Sequence, residues 1–326
     1  MSQLLSIKDL HVTFPTDDGD VQAVSGVSFD LNAGETVAIV GESGSGKTVT
    51  SLSVLGLHNQ KRTHLSGEIN ISTDSGVKNV VALSEKELRL LRGKDVAMIF
   101  QDPMSSLHPF YRIGDQLTEA YLVHNPGKKK EAKLRALELL DRVGIPDPKK
   151  RIDEYPHQFS GGMRQRVMIA MALILSPELL IADEPTTALD VTIQQQILAL
   201  VLEERRKRNM SMLWITHDLG VVANLVDKVI VMYAGRIVEI GSVERIFKEP
   251  QHPYTAGLLA SLPKASDKNR TRLASIPGVP PKPWLVGESC AFAPRCSRVI
   301  EQCKVSKPEL VSANGTSSAC FNRVGA

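Results

Sequence analysis

Short apolar runs punctuate the first hundred residues. Residues 5–13 and 21–31 are rich in β-branched and apolar positions and flank a turn containing Asp17, Asp18 and Gly19, which predicts two paired antiparallel strands. Thr36 to Val40 follows as a continuous apolar run with no polar face, the pattern of a strand buried on both sides of a sheet. Runs of the same kind recur at Val96–Phe100, Leu179–Ala182, Met212–Thr216 and Val229–Met232, with helical segments between several of them. Strands alternating with helices predict a parallel α/β sheet.

Between the strands the period changes. Ser84 followed by Glu87 is a capping-box pattern that opens a helix, and Gly93 is placed to close it. Apolar spacing at Leu134, Leu137, Leu140 and Val143 is helical, with Gly144 and Pro146 as the stop. Asp102 to about Ser176 therefore reads as a mostly helical subdomain inserted between two core strands. After about residue 255 the character changes, and the prolines Pro253, Pro263, Pro277, Pro280, Pro281 and Pro283 are expected to break any regular element, which predicts a separate, loop-rich appendage. The expected division is residues 1–255 and 256–326, with the helical part at about 102–176, and no internal repeat is visible.

The chain has 326 residues, of which 42% are hydrophobic and 23% charged, enough to bury a full core. A net charge of +3 is too mild for a nucleic-acid footprint, so the basic runs Lys128–Lys130 and Arg205–Arg208 read as solvated surface and no nucleic-acid partner is expected. The longest apolar stretch, Val167–Leu175, falls far short of the ~20 residues that cross a bilayer. The opening residues Leu4, Leu5, Ile7, Leu10 and Val12 are spaced like a strand, not like a secretory signal, so a cytoplasmic location is expected.

Candidate chemistry begins where the buried strand Thr36–Val40 ends. Gly41, Glu42, Ser43, Gly44, Ser45, Gly46, Lys47 and Thr48 match G-x-x-x-x-G-K-[ST]. Glycines let successive N–H groups turn toward phosphate oxygens, and the helix that follows adds its positive end. Lys47 can then bridge the terminal phosphates and Thr48 can ligate Mg²⁺. The apolar run Leu179–Ala182 ends in Asp183 and Glu184, where open α/β sheets place their ligands. Asp183 suits the Mg²⁺ shell and Glu184 suits a general base acting on water.

Ser160, Gly161 and Gly162, followed by Met163, Arg164, Gln165 and Arg166, complete the pattern. The set resembles the ATP-binding cassette (ABC) ATPases over roughly residues 4–245: a Walker A loop, a Q-loop glutamine at Gln101, a Ser-Gly-Gly signature, Walker B Asp183 with Glu184, a D-loop at Ala188, Leu189 and Asp190, and a switch histidine at His217. The resemblance implies a P-loop NTPase core of ABC type with an antiparallel β subdomain, an inserted helical subdomain and a C-terminal loop-rich extension. It also implies a head-to-tail dimer, with each ATP held between one subunit's Walker A loop and the signature of the other. In that scheme Gln101 senses the metal and His217 contacts the γ-phosphate. Phe14 stands where the family stacks an aromatic on adenine, although a core role suits a phenylalanine equally. The signature departs from the commonest Leu-Ser-Gly-Gly-Gln at Phe159 and Met163, which removes a glutamine side chain and leaves the central donors intact.

Tyr155 to Arg166, His252-Pro253-Tyr254-Thr255, Ile276-Pro277-Gly278 and Cys290-Ala291-Phe292-Ala293-Pro294-Arg295-Cys296 are similar to the dipeptide and oligopeptide importer ATPases. That resemblance implies a peptide importer, or a nickel or other small-solute importer, in which this subunit pairs with a second homologous ATPase at the cytoplasmic face of the cell membrane. It further implies two transmembrane permeases and an extracytoplasmic peptide-binding protein. All four cysteines, Cys290, Cys296, Cys303 and Cys320, fall after residue 289. Disulfides are disfavoured in a reducing cytoplasm, and four thiols can ligate one soft metal centre. Relatives carry an iron–sulfur cluster on such cysteines, which makes a [4Fe–4S] centre the expectation, with zinc or unligated thiols as alternatives. A soluble ABC ATPase of DNA repair or translation lacks support here, since no coiled coil, second cassette or basic face is visible. A small-molecule P-loop kinase is at odds with the signature and D-loop.

Overall fold

The computed structural model describes residues 2–17, 19–102, 106–185, 191–262, 275–281, 287–313 and 315–325, without the side chains of 191–193. Two sheets form the frame. The first is antiparallel and has the order β2-β1-β4-β5, from β1 (Gln3–Thr16), β2 (Gly19–Asn32), β4 (His64–Thr73) and β5 (Gly76–Asn79). The pairing of β1 with β2 is the expected one, and both strands run longer than their apolar cores suggest.

The second sheet has eight strands. Its parallel centre is built from β3 (Thr36–Val40), β6 (Val96–Ile99), β7 (Leu179–Asp183), β8 (Ser211–Thr216) and β9 (Lys228–Tyr233), in the order β9-β3-β8-β7-β6. All five residues of β3 are buried, and their alternation divides the core. Ala38 and Val40 face one hydrophobic cluster together with Leu180, Ala182 and Trp214, whereas Val37 and Ile39 face another with Ile181, Leu213 and Ile230. The second cluster also takes in Leu5, Ile7 and Leu31 of the antiparallel sheet, so that sheet packs on one face of the parallel one. Each valine, leucine and isoleucine among these side chains, wholly removed from water, contributes about 1.5–3 kcal/mol of transfer free energy.

Helices pack on both faces: Val54, Leu88 and Leu91, from the two that follow the phosphate loop, join the second cluster beside the antiparallel sheet, and the inserted helical part covers the other face. α1 (Lys47–Val54) leaves β3 through the glycine-rich loop, and α2 (Glu85–Leu91) starts at the expected capping box, with Ser84 and Glu87 each accepting from the other's backbone N–H. The inserted helical part comprises α3 (Ile113–His124), α4 (Lys129–Arg142), α5 (Pro148–Arg151) and α6 (Gly161–Leu173). Its apolar side, including Ile113, Leu117, Leu139 and Val167, joins the first cluster. In α4 the buried stripe is Ala132, Ala136, Leu139 and Leu140, while Leu134 is 69% exposed. Two alanines let the helix approach closely, so the burial seam runs along small residues that a reading of leucines alone does not weight. The remaining core helices are α7 (Val191–Arg208), α8 (Leu219–Val222), α9 (Val243–Lys248) and α10 (Pro253–Ala260).

The C-terminal segment is loop-rich, as its prolines predict, yet it does not stand apart. After α11 (Glu301–Val305), strands β11 (Val311–Ala313) and β12 (Thr316–Ser318) lengthen the eight-stranded sheet, with β12 antiparallel to β10 (Arg236–Ser242). Buried Glu239 of β10 accepts from the N–H groups of Gln251 and His252, and desolvation raises its pKa despite those bonds. The joining strands are three residues long and carry no apolar period, which is why sequence pattern alone separates the segment from the core.

Candidate functional site

The glycine-rich loop has the shape its composition predicts. Gly41 at φ 155° and Gly46 at φ 98° hold conformations open to glycine, and a Cβ on Gly41 would lie 2.2 Å from the carbonyl oxygen of Met232. The Lys47 ammonium, in a residue only 6% exposed, folds back to donate to the carbonyls of Gly41 (2.8 Å) and Glu42 (2.9 Å). Burial lowers its pKa, and the carboxylates of Glu184, Asp183 and Glu42 oppose that shift. Glu42 is drawn outward, as described below, while Ser43, Gly44 and Thr48 are exposed and Ser45 is buried beneath them.

Asp183 ends β7 with 1% exposure, and the Thr48 hydroxyl lies beside its carboxylate and favours the ionised form. Desolvation nonetheless raises its pKa, and its Oδ1 has no hydrogen-bond partner among the described residues. An orphaned, buried carboxylate oxygen beside a hydroxyl is a hard-oxygen donor pair suited to Mg²⁺. Glu184 follows in the left-handed region at φ 46°, its N–H bonded to the carbonyl of Ile215 (2.9 Å). Strain of this kind costs of order 1–3 kcal/mol and persists where surrounding structure enforces it. Its effect is to aim the carboxylate out of the sheet: Gln101 Nε2 donates to Oε2 at 3.1 Å and His217 Nδ1 lies 2.9 Å from Oε1. Gln101, Glu184, His217, Lys47 and Thr48 line one cavity of about 310 Å³.

Other candidate residues fall elsewhere. Ser160 caps α6 by accepting from Met163 N (3.3 Å), and Ser160 and Gly161 are exposed and Gly162 half-buried, none of them lining that cavity. Phe14 is half-buried, its ring edge-on to His58 at 5.8 Å, and it too lies outside the cavity lining. Ala188, Leu189 and Asp190 lie outside the described residues. Gln165 in α6, fully buried, donates from Nε2 to the carbonyl of Pro185 and so ties the signature helix to the residue after Glu184.

The four cysteines are free thiols gathered in one region, with Cys290 N donating to the carbonyl of Cys303 at 2.9 Å. Burial raises the thiols of Cys290 and Cys296 and pushes Cys320 to about 11, and neighbouring cysteines add to each shift. Among the described residues, no group of three or more His, Cys, Asp or Glu is arranged to hold a metal ion. Nor is any helix among them long and apolar enough to cross a membrane.

Two residues at this site escape motif reading. Tyr254 accepts at its hydroxyl from Glu42 N (2.8 Å), and Arg295 grips the Glu42 carboxylate with both guanidinium nitrogens (2.6 and 2.9 Å). They are 212 and 253 positions from Glu42, and the only sequence signal of their importance is the run in which each sits.

A description of the ABC transporter family matches residues 24–187, and one of the oligopeptide/dipeptide transporter C-terminal region matches residues 238–303. The dipeptide transport ATP-binding protein DppD of Bacillus subtilis is 54% identical over 306 residues, covering 93% of this chain and 89% of the relative. The oligopeptide transport ATP-binding protein OppD of Salmonella typhimurium is 48% identical over 321 residues, covering 98% and 94%. Among solved structures, the ATP-binding cassette MJ0796 in a dimeric post-hydrolysis state bound to ADP and Pi matches with a TM-score of 0.65 at 25% identity, over 74% of this chain and 99% of that one. CbiO1 of Clostridium perfringens, part of an ABC transporter complex, matches with a TM-score of 0.61 at 27% identity, over 76% and 92%. With its phosphate loop, paired carboxylates and these likenesses, the chain belongs to the ATP-binding subunits of ABC transporters and is an ABC-type ATPase closely related to the peptide and oligopeptide importers.

Proposed function

We propose that this subunit hydrolyses ATP to power import of di- and oligopeptides, working at the cytoplasmic face of the cell membrane with a second homologous ATPase, two transmembrane permeases and an extracytoplasmic peptide-binding protein. The observation that carries the reading is the junction of a complete phosphate site with a C-terminal region of the oligopeptide/dipeptide transporter type, joined in one sheet. The division at residue 255 into motor and extension, and at 102–176 into a moving helical part, belongs to the same reading.

In the mechanism, the Gly41–Thr48 loop binds the phosphates of ATP and Lys47 leaves the carbonyls of Gly41 and Glu42 to meet their negative charge. Thr48, Asp183 and Gln101 are the residues that would hold Mg²⁺, which would supply positive charge against the terminal phosphates. Glu184 accepts the proton of the attacking water, with His217 and Gln101 fixing its carboxylate. Phe14 stacks on adenine. Exposed Ser160 and Gly161 and half-buried Gly162, at the N-terminal end of α6, donate to the γ-phosphate bound by the partner ATPase, and Asp190 completes the interface. Closure then depends on the γ-phosphate and relaxes when it departs.

The reading extends to a [4Fe–4S] centre on Cys290, Cys296, Cys303 and Cys320. Its support is that the chain's four thiols are free and that neighbouring cysteines add to the raised pKa values of Cys290, Cys296 and Cys320. Such a centre would staple the loop-rich extension. Anaerobic purification followed by iron analysis and absorption spectroscopy tests it, and a colourless, iron-free protein removes it.

Affinity capture of the tagged subunit from its native membrane tests the transporter assignment. Recovery of two permeases, a sister ATPase and a peptide-binding protein is the expected result. Recovery of nucleic-acid machinery, or of no membrane protein, overturns the importer reading.

A further inference from the structure

We infer that Arg295, far along the chain in the C-terminal segment, is a positioning residue for nucleotide binding, holding the phosphate loop in its receptive shape through Glu42. The inference rests on the ATPase reading above and adds a part that no phosphate-loop motif contains.

Residue 42 is held at every polar group it has. Its N–H donates to Tyr254 Oη at 2.8 Å, its carbonyl accepts from Lys47 Nζ at 2.9 Å, and its two carboxylate oxygens accept from Arg295 at 2.6 and 2.9 Å. Arg295 is itself fixed: Nε donates to the carbonyl of Pro277 (2.8 Å), one terminal nitrogen reaches Tyr233 Oη (3.3 Å), and the guanidinium lies 5.8 Å from the Tyr233 ring centre. The Arg295 side chain is 5% exposed and that of Glu42 27%, so the pair is largely out of water.

A bidentate guanidinium–carboxylate pair fixes angle as well as distance, which a lysine cannot do. A buried ion pair adds little net stability, because desolvation offsets its attraction, but it specifies geometry strongly. The geometry specified here is that of the loop's second residue, whose carbonyl shares the Lys47 ammonium. When a phosphate draws that ammonium away, Glu42 stays anchored from outside the loop by Arg295 and Tyr254. The loop is thereby preorganised, and less of the binding free energy is lost in ordering it. Phe292, packed 5.3 and 5.4 Å from Tyr233 and Tyr254, links the same clamp to the loop between Cys290 and Cys296.

The test uses the full-length subunit with Glu42→Gln, Arg295→Gln, Arg295→Lys and the Glu42→Gln/Arg295→Gln double variant. Titration with a fluorescent ATP analogue and Mg²⁺ gives Kd, phosphate release gives kcat and KM, and thermal unfolding checks the fold. Each single glutamine variant is expected to raise Kd and KM about tenfold, with kcat at saturation nearly unchanged. The double variant should be no worse than either single one, and Arg295→Lys should fall between. Wild-type Kd in a folded Glu42→Gln variant, or additive effects in the double variant, overturns the inference. If Arg295→Gln does not fold, Glu42→Gln decides alone. A wild-type protein that neither binds nor hydrolyses ATP would instead overturn the ATPase reading.

Discussion

His217 and Glu184 meet at 2.9 Å across the ends of two adjacent strands, the imidazole Nδ1 facing carboxylate Oε1 while Gln101 takes the other oxygen. β7 and β8 pair in parallel, so consecutive strand ends bring the two side chains side by side. The carboxylate is thus oriented before substrate arrives, by groups from two other segments of chain.

Glu184→Gln should lower steady-state phosphate release by at least about 100-fold while leaving nucleotide binding intact, because the amide keeps the shape and cannot take a proton. His217→Ala should reduce kcat with a smaller change in nucleotide affinity, since it frees one oxygen of Glu184. Parallel phosphate-release and nucleotide-titration measurements check both. Retained turnover in Glu184→Gln would remove the general-base role.

Asp183 has its pKa raised by burial, and Mg²⁺ needs the ionised form. Its raised pKa means the folded state binds the proton more readily than the unfolded chain, so its favourable contribution is present at low pH and lost as pH rises through the folded value. Without Mg²⁺ at neutral pH, Asp183→Asn is therefore expected to melt above the wild type, and adding Mg²⁺ with ATP should reverse the order. The half-saturating Mg²⁺ concentration of the wild type should rise on acidification. A variant that melts lower in metal-free buffer would refute the argument.

The parallel strands were legible because burial on both faces leaves continuous apolar runs, as in Val37–Val40, and the phosphate loop was legible because its glycines are demanded locally. Glu184, Gln101 and His217 could be named from motifs, but their meeting depends on strand order, which no local pattern encodes. Arg295 stands out in the sequence only as part of a cysteine-bearing run. Its partner Glu42 is 253 positions away, and an ion pair at that separation leaves no periodic trace. The strands β11 and β12 leave no sequence signal for a related reason: Val311–Ala313 and Thr316–Ser318 are too short to show alternation.

Ser160 serves α6 as a cap and, in the proposed dimer, serves the partner's ATP. The two roles separate by substitution. Ser160→Ala removes the acceptor for Met163 N and should cost roughly 1 kcal/mol of stability, whereas Ser160→Gly should cost only a few tenths. Both remove the hydroxyl, so both should depress hydrolysis in the assembled transporter. If activity tracks melting temperature across the two variants, the cap explains everything and the trans contact fails.

His252 supplies the acid limit of the joint between core and extension. It is 2% exposed, accepts from Tyr254 N at Nδ1 (3.0 Å), and has its pKa lowered by burial to about 4. The unfolded chain, with a histidine near its ordinary value, takes up the proton first as pH falls. The stability that neutral His252 supports is thus fully present above about pH 6.5 and lost progressively toward pH 4, by on the order of 3 kcal/mol. Neighbouring Glu239 acts in the opposite sense, since its raised pKa makes its contribution greatest at low pH, so total stability alone does not isolate the histidine. His252→Asn keeps a side-chain acceptor at the helix cap and carries no proton. Urea unfolding of wild type and variant across that range should give a stability difference that moves steadily in favour of the variant as pH drops. Parallel pH profiles would show that the proton goes elsewhere. Because Tyr254 also holds Glu42 N, the same acidification should weaken nucleotide binding in the wild type more than in His252→Asn.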